Sequence, residues 1–114
     1  MEKIDVKTQI GFNDSEFVSY LKKHSLFVVK IRAWNESQVT INFNDVIRVV
    51  DNDVNGISGF FEIIGDSEVL QHALSRLYEN VIPSNHPYKC YQFIDIDDNA
   101  ALEIVCSSIE IFYS

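Results

Sequence analysis

The feature that most constrains the fold is a two-residue alternation of apolar and polar side chains. Every second residue from Phe27 to Ala33 is apolar, and Lys30 and Arg32 lie between them. Residues 38–43, QVTINF, repeat the alternation after the short stretch NES at residues 35–37. Because successive side chains of a β-strand point to opposite faces, this pattern predicts an antiparallel hairpin with one buried face.

Further strands are predicted on both sides of this hairpin. NDVIRVV is rich in β-branched residues, and GFFEII follows the strong turn signal Asn55-Gly56. YKCYQFIDID and LEIVCSSIEIFY are predicted as two long strands joined by the turn DDNA at residues 97–100. The segment 14–24 is compatible with a helix or a strand, and that choice stays open.

The best helical pattern is DSEVLQHALSRLYEN, residues 66–80. Asp66 or Ser67 offers an N-cap. Apolar residues recur at helical spacing, which gives one stripe: Val69, Leu70, Ala73, Leu74, Leu77 and Tyr78.

Together these elements predict a single α+β domain over residues 1–114. We expect a mostly antiparallel, curved β-sheet or small sandwich, with one main α-helix at about residues 66–80. The length is sufficient for one hydrophobic core.

Charge is unevenly distributed along the chain, whose net charge is −8. Residues 51–114 hold eleven acidic residues against two basic ones, whereas residues 1–50 are nearly balanced. Such a field disfavours nucleic acid as a partner and favours a basic protein. No segment resembles a signal peptide or a membrane span, so we expect a cytoplasmic protein in which Cys90 and Cys106 are free thiols.

The stretch DNDVNGISGFFE, residues 51–62, matches the letters of an EF-hand calcium loop. Its flanks do not match, because the preceding segment is β-branched and Gly65 follows closely, whereas an EF-hand needs a helix on each side. Asp, Asn and Gly are also the residues that turns prefer. We therefore interpret the stretch as a turn between strands and predict no bound metal.

Catalytic chemistry has weak support in this sequence. There is no nucleophile elbow, phosphate loop or deaminase signature, and His24, His72 and His86 are not spaced as metal ligands. Asp95 and Asp97 are predicted on one face of a strand, where a carboxylate pair either works in acid–base catalysis or forms an exposed acidic ladder. We expect the ladder, no enzyme activity and no cofactor.

Three segments together resemble small immunity proteins of bacterial polymorphic-toxin and contact-dependent growth inhibition systems. They are NDSEF near the start, WNESQVTINFNDVIRV with its F-x-D-V ending, and the acidic hairpin FIDIDDNAALEIVCSSIEI. The resemblance is one of strands and turns over most of residues 12–112. It implies a protein that binds and neutralises the C-terminal domain of a cognate toxin, often a nuclease with a basic cleft.

This resemblance and the charge pattern suggest which residues bind the toxin. Acids at turns and strand ends are expected to pair with its Lys and Arg: Asp51, Asp53, Asp95, Asp97, Asp98 and Glu103. Tyr91 and Tyr113 are expected to serve as aromatic anchors. Two alternatives remain: an adaptor that forms a homodimer through a sheet edge, and a small acid–base enzyme that uses Asp95 and Asp97.

Overall fold

The alternating segments form two antiparallel sheets. The computed structural model describes residues 2–65, 67–79 and 81–114, and within these ranges the chain forms ten strands and one helix. The elements are β1 (Glu2–Asp5), β2 (Ser15–Lys23), β3 (Leu26–Arg32), β4 (Gln38–Asn44), β5 (Arg48–Asp51), β6 (Gly56–Ile57), β7 (Gly59–Ile64), α1 (Glu68–Leu77), β8 (Lys89–Ile94), β9 (Ala100–Cys106) and β10 (Ser108–Tyr113).

Each sheet has five strands. Sheet A has the order β1-β7-β8-β9-β5, and sheet B has the order β10-β4-β3-β2-β6. Every pairing between neighbouring strands is antiparallel. The sheets curl around a shared core as a half-barrel, which confirms the predicted α+β class with a curved antiparallel sheet and one main helix.

The core between the sheets is built by the alternation seen in the sequence. Val29 of β3 lies opposite Ile41 of β4, and both side chains are fully buried. Phe60 of β7 stacks on Phe93 of β8 with ring centroids 4.3 Å apart. Since each large apolar side chain removed from water stabilises the fold by about 1.5–3 kcal/mol, this core holds the two sheets together. The predicted hairpin of β3 and β4 is confirmed.

The helix α1 covers the outer face of sheet A. It begins at Glu68 after the N-cap Ser67, whose Oγ accepts a hydrogen bond from the Leu70 amide, and it ends at Leu77. This is shorter than the predicted 66–80, and the alternative cap Asp66 lies outside the described residues. Its stripe packs in a second cluster: Ile63, Leu70, Ala73, Leu74, Cys90 and Val105. Sheet A is therefore buried on both faces along β8, where Cys90 to Ile94 are all buried.

The open question of segment 14–24 is answered by pairing. It forms strand β2, which pairs with β3 from Glu16 to Lys23, with a shift of register between Phe17 and Ser19. A helix here would leave the outer edge of β3 unpaired, and the loose alternation in the sequence reflects the bulge at Val18.

One predicted strand is wrong in its extent. LEIVCSSIEIFY is not continuous but divides at Ser107 into β9 of sheet A and β10 of sheet B. The Ser107 amide donates to the Asn44 carbonyl at 3.0 Å, and its hydroxyl donates to the Asp45 carboxylate. These bonds hold the chain where it leaves one sheet for the other. None of the described residues forms a helix that is long and apolar enough to cross a membrane.

Candidate protein-binding cleft

The calcium-like stretch is a crossing between the two sheets. The chain leaves sheet A at the end of β5, turns through residues 52–55, and joins sheet B as the short strand β6. It returns to sheet A after Ser58 as β7. Strands, not helices, flank the stretch, so the helix–loop–helix frame of an EF-hand is missing and the predicted turn between strands is confirmed.

Asp51 organises this turn. Its Oδ1 accepts a hydrogen bond from the Val54 amide at 3.1 Å, and its Oδ2 accepts one from the Tyr20 hydroxyl at 2.8 Å. The Val54 amide and then the Tyr20 hydroxyl hold the pKa of the Asp51 carboxyl below its usual value, because both donors favour its charged form. Asp51 therefore stabilises the turn and links β5 to β2.

The turn between β8 and β9 faces this crossing. Asp95 Oδ1 accepts hydrogen bonds from the backbone amides of Asp97 at 2.9 Å and Asn99 at 3.0 Å. β8 ends at Ile94, so the prediction that Asp95 and Asp97 share a strand face is wrong. The reason is local: the Asp95 side chain satisfies the amides of the turn and so ends the strand.

Ser58 joins the crossing to the β8–β9 turn by hydrogen bonds. Its amide donates to the Ile94 carbonyl at 2.8 Å, and its hydroxyl donates to the Asp95 carbonyl at 2.8 Å. On the other side, the Phe17 amide donates to the Asn55 carbonyl at 2.8 Å. The crossing is thus fixed both to the β8–β9 turn and to β2.

These contacts leave an open cleft of about 380 Å³ between the turns. Its lining includes four carboxylates, those of Asp14, Asp53, Asp95 and Asp97, and no lysine, arginine or histidine of the described residues. The acids come from three segments that are distant in sequence. We call this feature the acidic cleft; it is defined by residues 14–15, 53, 55–58, 95–97 and 101.

Backbone conformation directs two of these acids. Asp14 has φ 57° and Asp53 has φ 64°, both in the left-handed region, which Asp and Asn tolerate better than most residues. The side chains of Asp14, Asp53 and Asp97 accept no hydrogen bond from the described residues and form no ion pair with them. These three carboxylates are therefore available to a partner, while Asp95 is engaged in its turn through Oδ1.

An exposed apolar side chain stands at the tip of one wall. Ile96 lies between Asp95 and Asp97 and is 87% exposed, the largest exposed fraction among the large apolar side chains of the described residues. It lines the acidic cleft with Ala101 and Ile57, so the site combines negative charge with apolar surface. Such surfaces are typical of protein-binding sites, where an apolar centre is rimmed by polar groups.

A buried polar group lies at the base of the acidic cleft. Ser15 is 4% exposed, and its Oγ forms no hydrogen bond with the described residues. Its amide donates to the Phe12 carbonyl at 3.1 Å, which closes the turn that carries Asp14.

The other predicted toxin-binding residues lie outside the acidic cleft. Asp98 approaches Lys3 at 3.7 Å, and Glu103 accepts a hydrogen bond from Gln92 on the outer face of sheet A. The Tyr113 hydroxyl accepts a hydrogen bond from the Gln9 amide at 2.8 Å. Tyr91 is only 5% exposed, and burial raises its pKa to about 12, so the expectation that it offers an exposed aromatic anchor is corrected.

Two residues of the cleft were missed by sequence reasoning. Asp14 was placed only at the start of the segment 14–24, whose structure was left open, and Ile96 only in a predicted strand. The signal for Ile96 was present, since an isoleucine flanked by acids next to the DDNA turn is placed at a hairpin tip once Asp95 ends the strand. Asp14 gave no comparable signal, because its proximity to Asp53 and Asp95 depends on how the two sheets pack.

The two cysteines and the three histidines lie away from the acidic cleft. Burial raises the pKa of the Cys90 thiol to about 11 and that of Cys106 to about 12, and both are free. His86 is half-buried and its Nδ1 accepts a hydrogen bond from the Tyr88 amide, whereas His24 and His72 are exposed. In the described part of the chain, no group of three or more His, Cys, Asp or Glu side chains is arranged to hold a metal ion.

Comparison with models of protein families, with curated proteins and with solved structures found no match. The geometry and charge of the acidic cleft, together with the sequence resemblance described above, are therefore the basis on which a function can be inferred.

Proposed function

We propose that this chain is a non-catalytic, cytoplasmic immunity protein that binds a cognate bacterial toxin domain through the acidic cleft. The observation that carries the proposal is the convergence of Asp14, Asp53 and Asp97, three carboxylates that have no partner among the described residues, beside the exposed Ile96. The resemblance to immunity proteins supplies the class of partner, and the cleft supplies a surface that suits it.

Charge supports a basic partner. A nuclease toxin holds phosphate groups with Lys and Arg, and a concave acidic surface is complementary to such a site. Electrostatic steering between such surfaces raises the association rate by roughly 10- to 1,000-fold at low salt. We therefore infer that the toxin's cations enter the acidic cleft in place of the phosphates of its substrate.

Ile96 supports a protein partner rather than a small cation. Transfer of an exposed isoleucine into a complementary pocket contributes about 1.5–3 kcal/mol, which is the scale of a binding hot spot. Carboxylates around an apolar centre also match the usual composition of an interface, with charge at its rim.

The alternative of an acid–base enzyme has less support. Asp95 uses its Oδ1 to accept two backbone amides, and Asp97 lies in the same turn and is exposed. A general acid or base works best in an enclosed site that tunes its pKa, and the cleft is open.

The proposal is tested with the toxin domain encoded by the gene directly upstream, because immunity genes usually follow their toxin gene. The triple variant Asp14→Asn, Asp53→Asn, Asp97→Asn removes three charges, and asparagine tolerates the left-handed backbone at residues 14 and 53. The matched control removes three charges elsewhere, at the exposed residues Glu2, Glu36 and Glu79, each changed to Gln.

We expect the cleft variant to bind at least tenfold more weakly, about 1.4 kcal/mol, and to lose protection of cells that express the toxin, with the control unaffected. Equal loss in both variants would indicate a general charge effect and move the interface away from the cleft. An upstream product that is not toxic, or that does not bind, would refute the immunity function. Calcium and EDTA arms complete the test, and a calcium requirement would contradict the expectation that the stretch at residues 51–62 binds no metal.

A further inference from the structure

Strand β10 is an open edge of sheet B. It pairs with β4 from Ser108 to Tyr113 without a shift of register. In the sheet order it is the terminal strand, and no described strand lies on its other side. A regular edge strand of six residues is a template for another strand.

The free backbone groups of β10 can be identified. Ser114 and Gln38 exchange hydrogen bonds of 3.0 and 3.3 Å, so they form a hydrogen-bonded pair. Because such pairs alternate along an antiparallel ladder, Ile109, Ile111 and Tyr113 direct their N–H and C=O groups away from β4. Within the described ranges no backbone hydrogen bond reaches these groups.

The other edges are protected against pairing. Three of the four residues of β1 are charged, β5 has four residues and β6 has two. In β10 the one charged residue is Glu110, and there is no proline, lysine or bulge. Natural sheets block their edges with short strands, clustered charges, prolines or bulges. Among the four edge strands, β10 is the one that lacks such protection.

The segment of residues 6–9 forms no backbone hydrogen bond with β10 within the described ranges. Tyr113 pairs with the buried Val39, so its side chain points toward the core between the sheets. The Gln9 amide contacts the hydroxyl at the end of that side chain. The segment therefore approaches β10 from its inner face and leaves the plane of sheet B open.

We propose that two copies of this chain associate through β10, antiparallel, with the two-fold axis at Ile111. This register aligns the free groups of Ile111 with those of Ile111 in the second copy, and Ile109 with the second copy's Tyr113. It forms about six backbone hydrogen bonds, the most that any symmetric register of these residues allows. A register centred on Glu110 places two like charges directly opposite each other, which is destabilising.

Phe112 supports the same register. It lies on the outer face of sheet B and is 50% exposed. In the proposed pairing it faces Glu110 of the second copy, and the two Phe112 side chains are diagonal neighbours, within reach of aromatic rings. The dimer thus buries an apolar ring that a single copy leaves in water.

Charge opposes this association only weakly, since Glu110, the one charged residue of β10, is exposed and lies diagonally from its counterpart across the seam. The strands of sheet B carry Lys22, Lys23, Lys30 and Arg32 against Glu16 and Glu110, so the negative charge of the chain lies elsewhere. The acidic cleft adjoins β6 and the start of β2, at the opposite edge of sheet B from β10. A dimer through β10 leaves both clefts open, and the proposal stands independently of the immunity function.

Sedimentation velocity of the full chain over a wide concentration range tests the proposal. Phe112→Glu places acids opposite Glu110 across the seam and should shift the sedimenting species to the monomer. Ser19→Glu is the matched control, because Ser19, Lys30, Thr40 and Phe112 form one cross-strand row of the same face, with Ser19 far from the seam. The control should remain a dimer with the wild-type dissociation constant.

Disulfide trapping tests the register and does not depend on the charge variant. In Ile111→Cys, the two new thiols face each other in a hydrogen-bonded pair with Cα atoms about 5.5 Å apart, within disulfide range. Oxidised glutathione converts these thiols to one disulfide and is reduced to two molecules of glutathione. Glu110→Cys places its thiols at diagonal positions about 7–8 Å apart and should not cross-link efficiently. A wild-type chain that is monomeric throughout, an unaffected Phe112→Glu dimer, or cross-linking at residue 110 in preference to 111 would each overturn the proposal.

Discussion

The hydroxyl of Tyr20 donates a 2.8 Å hydrogen bond to Oδ2 of Asp51 and so joins β2 of sheet B to β5 of sheet A. The two residues are 31 positions apart in sequence. Because Asp51 also accepts a hydrogen bond from the Val54 amide, the same carboxylate links the two sheets and shapes the turn that carries Asp53 into the acidic cleft. This carboxylate therefore contributes both to stability and to the shape of the candidate site.

Removal of the Tyr20 hydroxyl should weaken this link. We expect Tyr20→Phe to lower the free energy of unfolding by about 1 kcal/mol, because an exposed hydrogen bond to a carboxylate contributes modestly. Urea denaturation measures the change. Tyr88→Phe is the control, since the Tyr88 hydroxyl forms no hydrogen bond with the described residues, and an equal loss in both variants would contradict the role given to the Tyr20–Asp51 bond.

Asp51 should contribute to the pH dependence of stability. Its pKa in the folded chain lies below the ordinary value of 3.8, so the native state binds a proton less readily than the unfolded chain. Its contribution is then fully present above pH 3.8 and is lost as the pH falls through the lower native pKa. We expect Asp51→Asn to be less stable than wild type at neutral pH, with the difference shrinking in acid. Urea denaturation midpoints of both proteins, measured from neutral pH into acid, test this expectation. A difference in stability that stays constant with pH would contradict the lowered pKa of Asp51.

Asp95 should stabilise the β8–β9 turn. Because its Oδ1 accepts two backbone amides, we expect Asp95→Ala to cost about 1–2 kcal/mol of unfolding free energy. Asp95→Asn retains the acceptor and should cost less. Asp97→Ala is the control for loss of a carboxylate from the same turn. Chemical denaturation should show the largest loss of stability for Asp95→Ala, a smaller loss for Asp95→Asn and the smallest for Asp97→Ala. A control as unstable as Asp95→Ala would argue against the capping role of Asp95.

Ile96 should act in binding and not in folding. As its side chain is 87% exposed, we expect Ile96→Ser to change the free energy of unfolding by less than about 0.5 kcal/mol. The affinity of the Ile96→Ser protein for the toxin domain should fall at least tenfold, about 1.4 kcal/mol. Val81→Ser is the control, since Val81 is 80% exposed and lies outside the cleft. Calorimetric titration of both variants would separate a specific contact of Ile96 from a general effect of surface hydrophobicity.

The two cysteines should be unreactive in the folded chain. Burial raises the pKa of Cys90 to about 11 and that of Cys106 to about 12, so almost no thiolate is present at pH 8, and neither thiol reaches solvent. We expect a thiol reagent to modify them only after unfolding, at a rate that rises with urea. Ser75→Cys, on the exposed side of α1, should react at once and so verify the assay; rapid modification of the native cysteines would show that the core opens.

Elements whose signal is local could be predicted from the residues alone. The alternation from Phe27 to Ala33 and across residues 38–43 specified two half-buried strands and the turn between them, because side-chain direction in a strand has a period of two. The helical stripe specified α1, with an end at Leu77 that the stripe alone did not mark. The turn between strands in the stretch 51–62 was predicted from its Asp, Asn and Gly residues and from the absence of flanking helical patterns.

Which strands pair and which acids meet depends on long-range packing that the residues do not show locally. LEIVCSSIEIFY reads as one strand because it is rich in apolar residues on both sides of Ser107. The core-facing positions nevertheless shift there, from Leu102 and Ile104 to Ile109 and Ile111, and β9 and β10 belong to different sheets because their pairing partners lie far away in sequence. Tyr91 and Asp95 were assigned to a surface by composition, but sheet packing buries the first and a turn engages the second. Asp14, Asp53 and Asp97 share one cleft because the chain crosses between the sheets on either side of it. No local pattern records that proximity, since it arises when two curled sheets close on a common core.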